Sequence, residues 1–174
     1  TAPKFYRAVS SLLHHGARPH NITGLITELT EKITNTVISI FEKENGKPPI
    51  DYTLFYYGGA GRRELTLSFR VSMGIIYSDG ASSQLQAEAD NYFKLLTGTI
   101  NRSMLACDLT GKKQCIKMDN IQGASFWQEQ FSKWGTGAGT GREAGFFDMR
   151  PIRGDHKRVD SLRQYLLNRA AQYK

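Results

Sequence analysis

The sequence has 174 residues, of which 40% are hydrophobic and 22% are charged, and its formal net charge is +7 at pH 7. These proportions exclude an intrinsically disordered chain, and the length is that of one domain. The apolar runs are far shorter than the roughly 20 residues of a membrane-spanning helix, and the amino-terminal residues show no signal-peptide pattern. The positive charge favours an anionic partner.

Two helices are predicted at the start of the chain. Residues 4–14 carry apolar side chains at helical spacing. Residues 22–41 repeat apolar side chains every three or four positions, which indicates one buried face of a long helix. Asn21 is the predicted N-cap of this helix, and Gly46 is predicted to terminate it.

A first hairpin is predicted next. Residues 51–57 are almost all apolar or aromatic, which is typical of a strand buried on both faces. In residues 65–73 apolar and polar side chains alternate, which is typical of a half-buried antiparallel strand. Residues 58–63 form a glycine-rich turn between the two strands. We expect the odd-numbered residues of the second strand to pack against the long helix.

The second half of the chain adds a helix, a second hairpin and two more helices. The helix is predicted at residues 82–100, and the hairpin strands at residues 104–109 and 114–118. A short amphipathic helix follows at residues 123–134, and the last helix begins after Asp155 as its N-cap. Residues 135–145 are predicted to be a flexible glycine-rich loop, followed by an irregular arm as far as Arg153.

This order, α-α-β-β-α-β-β-α-α, predicts an α+β fold. We expect an antiparallel sheet of about four strands, arranged as two hairpins and packed against several helices on one side. The sequence shows no internal repeat and no domain boundary, so residues 1–174 are predicted to form a single domain.

Sequence motifs for catalysis are weak. Residues 139–144 match the alanine variant of the dinucleotide-binding fingerprint, but a helix rather than a strand is predicted before them. Asp51 and Glu64 flank the first hairpin as metal-binding carboxylates of a nuclease would, yet capping and solvation explain both more simply. We therefore predict no catalytic residue, no metal site and no cofactor. Cys107 and Cys115 are interpreted as two reduced thiols.

The basic residues are better organised than the acidic ones. Many of them lie on glycine-containing turns, where a backbone can approach a phosphate closely and arginine can pair with it. Aromatic residues are interleaved with these basic positions, and Tyr57 and Phe146 are the candidates for stacking on bases. The predicted nucleic-acid-binding residues are Arg62, Arg63, Arg70, Lys112, Lys113, Arg142, Arg150, Arg153, Lys157, Arg158, Tyr57 and Phe146.

These observations favour a non-catalytic nucleic-acid-binding protein that grips the phosphate backbone, with RNA favoured over DNA. Such a protein is expected to be cytoplasmic or nuclear and not bound to a membrane. The first alternative is a structural or assembly protein that forms a homo-oligomer and whose charge serves solubility. An enzyme that acts on an anionic substrate is the third and least favoured interpretation, because no constellation of acid, base and nucleophile is visible.

Overall fold

The computed structural model describes residues 4–66, 71–107, 109, 114–134 and 143–172. These residues form five α-helices and four β-strands, which confirms the predicted α+β class. The helices are α1 (Lys4–His14), α2 (Pro19–Asn45), α3 (Ser83–Ala106), α4 (Ala124–Trp134) and α5 (His156–Ala171), and the strands are β1 (Tyr52–Tyr56), β2 (Met73–Tyr77), β3 (Ile116–Gly123) and β4 (Arg150–Gly154). No helix among the described residues combines the length and the hydropathy that crossing a bilayer requires.

The four strands form one mixed sheet in the order β3-β2-β1-β4. β1 pairs antiparallel with both β2 and β4, whereas β2 and β3 run parallel. The prediction of four strands is confirmed, but the purely antiparallel arrangement of two hairpins is wrong. The physical reason is α3, which carries the chain back along the sheet so that β3 starts at the same end as β2, as parallel strands require.

The second predicted strand begins later than expected. β2 starts at Met73, and residues 64–66 and 71–72 have no regular structure. Residues 67–70 lie outside the described part of the chain. The reason for the late start is that β1, the pairing partner, ends at Tyr56, opposite Met73. The odd-numbered residues Leu65, Val71 and Met73 are nevertheless buried in one cluster with Ile38 of α2.

The predicted hairpin at residues 104–118 is also wrong. α3 continues to Ala106, and Met104 is fully buried one helical turn beyond Ile100, so a helical period explains the apolar residues there. The arm ending near Arg153 is instead β4, an edge strand. Its Pro151 and a register shift opposite β1 remove the alternation that normally marks a strand, and proline is tolerated at an edge.

Several local signals are confirmed. The helix at residues 4–14, the short helix α4 and the buried strand β1 all form as predicted. Gly46 ends α2 with a φ of 84°, and the Asp155 side chain caps α5 by accepting from the Lys157 amide. The predicted N-cap Asn21 is wrong, because α2 already begins at Pro19, whose fixed φ suits a first helical turn.

Helices cover both faces of the sheet rather than one. Leu54 of β1 points into a cluster with Ile38 of α2 and Phe93 of α3, which we call the α2/α3 core. Phe55, the next residue, points into a cluster with Trp127 of α4 and residues of α5, which we call the α4/α5 core. Successive side chains of a strand point to opposite faces, so a strand with five buried residues needs cover on both.

Candidate functional site

A cavity of about 490 Å³ lies at the end of the sheet where β1 ends and where β2 and β3 begin. We call it the glycine-turn cavity. Its volume falls in the range of roughly 300–1,000 Å³ that is typical of small-molecule sites. The lining residues are Tyr57, Gly58, Gly59, Ser72, Gln114, Cys115, Lys117, Asp119, Asn120, Gly145 and Phe146.

The wall that follows β1 is a tight turn without side chains at Gly58 and Gly59. Gly58 has a φ of 63°, in the left-handed region that favours glycine, and begins a short 3₁₀ helix that ends at Ala60. The Arg62 amide donates to the Gly58 carbonyl at 3.1 Å. A Cβ atom at Gly61 would lie 1.7 Å from the Asp148 carbonyl oxygen, so that position also excludes a side chain.

Arg150 of β4 holds this turn from behind. Its guanidinium donates to the Gly61 carbonyl at 3.0 Å and to the Ala60 carbonyl at 3.2 Å. It forms an ion pair with Glu31 of α2 and lies over the Tyr56 ring, with Cζ 5.6 Å from the ring centroid. A planar fork with several donors suits this task better than lysine would. Arg150 therefore has a structural role under the turn.

Arg62 stands on the outer side of the same turn. It forms ion pairs with Glu64 at 2.8 Å and with Asp148 at 2.5 Å. The hydrogen bonds to these two carboxylates, that to Glu64 first, raise the pKa of the Arg62 guanidinium above its usual value. Two acidic side chains near the turn are thus already paired with a cation of the protein.

Two aromatic rings form the side of the cavity that faces the α4/α5 core. Tyr57 and Phe146 stack on each other with their ring centroids 4.3 Å apart and an interplanar angle of 10°. The Tyr57 hydroxyl accepts a hydrogen bond from the Asn120 side-chain amide at 2.9 Å. Phe146 also packs in tilted orientations against Trp127 and Phe131, at interplanar angles of 51° and 59°. Both residues predicted to stack on bases therefore line the cavity, and stacking on a base stays a prediction.

β3 supplies the charged groups of the cavity. Lys117 and Asp119 are two positions apart on the strand, so their side chains are on the same face, and both are exposed. The buried Cys115 also lines the cavity, and it forms no disulfide with the exposed Cys107, as predicted. Sequence reasoning missed Lys117, Asp119 and Asn120 because it placed them in or after a hairpin. The two-residue spacing of Lys117 and Asp119, which is typical of one face of a strand, could have indicated a strand at these positions.

The predicted basic residues do not share one surface in the described part of the chain. Arg62, Arg63 and Arg150 lie at the glycine turn, and Arg153 is paired with Glu42 of α2 at 2.5 Å. The other described ones, Lys157 and Arg158, line a second cavity of about 290 Å³ at the opposite end of β2. Arg70, Lys112, Lys113 and Arg142 lie outside the described residues, as does the predicted flexible loop up to residue 142; residues 143–145 begin a 3₁₀ helix.

Residues 3–140 match the model of the family described as Putative nucleotidyltransferase DUF294. The match covers the glycine turn and strands β1 to β3. The chain belongs to the DUF294 family. No curated protein matches it.

Membership in DUF294 corrects the functional hypothesis. Nucleotidyltransferases are enzymes, so the interpretation as a non-catalytic nucleic-acid-binding protein is wrong. The expectation of a nucleotide or nucleic-acid partner agrees with the family, since nucleotidyltransferases act on nucleotides or nucleic acids. Specific binding of RNA, self-association and an intracellular location stay predictions.

The side chains of the cavity do not fit a metal centre held by the protein alone. Nucleotidyl transfer commonly uses two divalent ions, which hard oxygen ligands such as carboxylates hold in place. Asp119 is the only acidic residue that lines the cavity among the described residues. The described part of the chain likewise contains no group of three or more His, Cys, Asp or Glu residues that could hold a metal ion.

Proposed function

We propose that this DUF294 domain binds a nucleoside triphosphate in the glycine-turn cavity. The observation that carries the proposal is the wall at Gly58 and Gly59, where no side chain separates a ligand from the backbone. Such a wall lets a phosphate approach closely, as in other glycine-rich phosphate sites. The exposed Lys117 ammonium lies in the same cavity and can neutralise part of the phosphate charge.

The shape of the cavity favours a mononucleotide over a nucleic-acid strand. The lining residues come from four segments that surround one end of the sheet, whereas a strand of nucleic acid requires a continuous groove. The Tyr57–Phe146 pair and the Asn120 amide lie beside the glycine wall and offer an apolar face and a polar group for the nucleoside.

Binding of the four common nucleoside triphosphates, measured by calorimetry, tests this proposal. We expect at least one to bind, and Lys117→Ala to weaken its binding by about tenfold or more, because a hydrogen bond to a charged group is lost. Lys94→Ala is the matched control, since Lys94 is exposed on α3 and carries the same charge. A short single-stranded oligonucleotide should not compete. If no triphosphate binds at millimolar concentration, the proposal is wrong.

A further inference from the structure

The described part of the cavity has few acidic side chains for the site of a nucleotidyltransferase, because nucleotidyl transfer commonly uses divalent ions held by carboxylates. Fourteen of the chain's 16 Asp and Glu side chains are described, and those of Asp108 and Glu143 are not. Residues 67–70, between the glycine turn and β2, have the sequence Leu-Ser-Phe-Arg and contain no carboxylate. Among the described side chains the cavity therefore has Asp119, and Asp108 and Glu143 are the two acidic residues whose side chains the described structure does not place.

The two other carboxylates near the glycine turn are poor ligands for a divalent ion. Glu64 and Asp148 do not line the cavity, and both contact the guanidinium of Arg62. A divalent ion bound there would meet the positive charge of Arg62 within a few ångströms, which opposes binding. Each Arg62 pair also occupies one of the carboxylate oxygens that a metal would need.

The positions that surround Asp119 carry neutral side chains. Ser72 stands before β2, and the amides Gln114 and Asn120 stand before and within β3. Together with Lys117 and Asp119, these residues give the described cavity side chains no net charge. A cavity with one carboxylate among its described side chains does not suit a pair of divalent ions, because each ion needs several oxygen ligands.

We infer that this domain binds its nucleotide without a protein-held pair of metal ions, and that it takes part in nucleotidyl transfer only together with carboxylates from outside it. The inference rests on the proposed nucleotide site. Transfer by a larger assembly would then need carboxylates from outside this domain. In the isolated domain the bound nucleotide stabilises the folded state, because it binds where β1 ends and β2 begins only when the sheet is formed.

The first test measures nucleotide binding with EDTA and with magnesium, and release of pyrophosphate from the nucleotide that binds. We expect the affinity to change by less than about threefold between the two conditions, and no pyrophosphate to appear. Binding that requires more magnesium than the nucleotide itself chelates, or release of pyrophosphate by the isolated domain, would overturn the inference. Absence of nucleotide binding would instead contradict the proposed function, so the two failures are distinguishable.

The second test adds the missing carboxylates. Gln114→Glu with Asn120→Asp changes two amides into carboxylates of the same shape, and the Tyr57 hydroxyl can then donate to the side chain at position 120. We expect this variant to bind Mn²⁺, detected by electron paramagnetic resonance, at least tenfold more tightly than the parent. The control variant Asn91→Asp with Gln164→Glu makes the same charge change at exposed helix positions. We expect this control to bind Mn²⁺ no more tightly than the parent.

Gln114→Glu alone, at an exposed position, keeps this test available if the double variant does not fold. We expect the single variant to bind Mn²⁺ more tightly than the parent but less tightly than the double variant. Variants that fold and bind Mn²⁺ no better than the parent would show that these side chains do not limit metal binding, and would overturn the inference.

Discussion

The two cores that cover the faces of the sheet differ in where their residues come from. All the buried members of the α2/α3 core, from Val9 to Ile121, lie within the residues that match the family model. Five of the nine buried members of the α4/α5 core lie after residue 140: Phe146, Met149, Val159, Leu162 and Leu166. The family match thus ends before the fold does. The face of the sheet that the family match covers only in part is the one with the α4/α5 core, which carries the aromatic side of the cavity.

The difference implies that stability and ligand binding can be changed separately. The α2/α3 core is flanked by two long helices and contains 25 of the 34 buried hydrophobic residues in the described part of the chain. The α4/α5 core is smaller, but Tyr57 packs against it and Phe146 belongs to it, and both line the glycine-turn cavity. Substitutions in the first core should therefore lower the free energy of unfolding, whereas substitutions in the second should also weaken nucleotide binding.

The largest effect is expected from a chain shortened after residue 142, just beyond the family match. This chain lacks β4 and α5, so the edge of β1 and the apolar face of the α4/α5 core lose their cover. We expect loss of cooperative unfolding, measured by circular dichroism during urea titration. A chain shortened after Gln172 is the control. Cooperative unfolding of residues 1–142 would show that the α2/α3 core folds independently, contrary to our comparison.

Phe93→Ala tests the α2/α3 core. Phe93 is fully buried and contacts the rings of Tyr52, Tyr77 and Tyr92, so its truncation leaves a cavity. We expect the free energy of unfolding to fall by about 3–5 kcal/mol. The affinity of the folded protein for nucleotide should stay the same, because Phe93 lies on the face away from the aromatic wall. A matching loss of affinity would link the two cores.

Phe146→Ala tests the α4/α5 core. Its side chain lies at the cavity, where the surroundings can relax, so we expect a loss near 3 kcal/mol, at the lower end for a buried phenylalanine. Nucleotide binding should weaken at least fivefold, because Tyr57 loses the ring that positions it. Phe147→Ala is the neighbouring control, since Phe147 is 37% exposed and does not line the cavity. Equal effects of the two substitutions would contradict the assignment.

Arg150→Lys tests how the sheet holds the glycine turn. Lysine keeps the charge but cannot reach Glu31 and two carbonyl groups with one planar fork, so we expect a loss of about 2 kcal/mol in stability and weaker nucleotide binding. Arg62→Lys is the comparison, because the exposed pairs of Arg62 contribute little. An Arg62→Lys variant that loses more stability than Arg150→Lys would place the main support of the turn on its outer side.

The smallest effect concerns alkaline pH. Burial, followed by the nearby Glu42 carboxylate, raises the pKa of Tyr92 from its ordinary 10.0 to about 12. Above pH 10 the unfolded chain loses this proton while the folded protein keeps it, so stability falls as pH rises from 10 to 12. Tyr92→Phe should make this fall less steep in unfolding curves at several pH values. Burial also raises the pKa of Tyr52 and Tyr56, so part of the fall should remain.

Much of the fold could be predicted because its signals are local. The apolar spacing of α1, the almost continuous apolar and aromatic run of β1 and the caps Gly46 and Asp155 each depend on a few neighbouring residues. Sheet order could not be predicted in this way. The parallel pairing of β3 depends on the path of α3, and β4 depends on a partner about one hundred residues earlier in the chain.

The candidate site was predictable only in part, for the same reason. Tyr57 and the glycine turn are visible beside a strand in the sequence, and Phe146 stands out as an apolar residue after a glycine-rich stretch. Lys117 and Asp119 become part of the cavity only through the pairing of β3 with β2. The structural role of Arg150 likewise depends on tertiary contacts, because its partners Glu31 and Gly61 are distant in sequence.

The pairing of β1 with β4, in which Leu54 lies opposite Arg153, has a consequence for folding while the chain is being synthesised. β1 leaves the ribosome about one hundred residues before β4, which at about 5–20 residues per second is a delay of roughly 5–20 s. During this time one edge of an apolar strand, Tyr-Thr-Leu-Phe-Tyr, has open hydrogen-bonding groups that another chain could pair with. Slower translation between residues 57 and 150 lengthens this interval. We therefore expect the yield of soluble protein to depend on translation speed as well as on the stability of the finished fold.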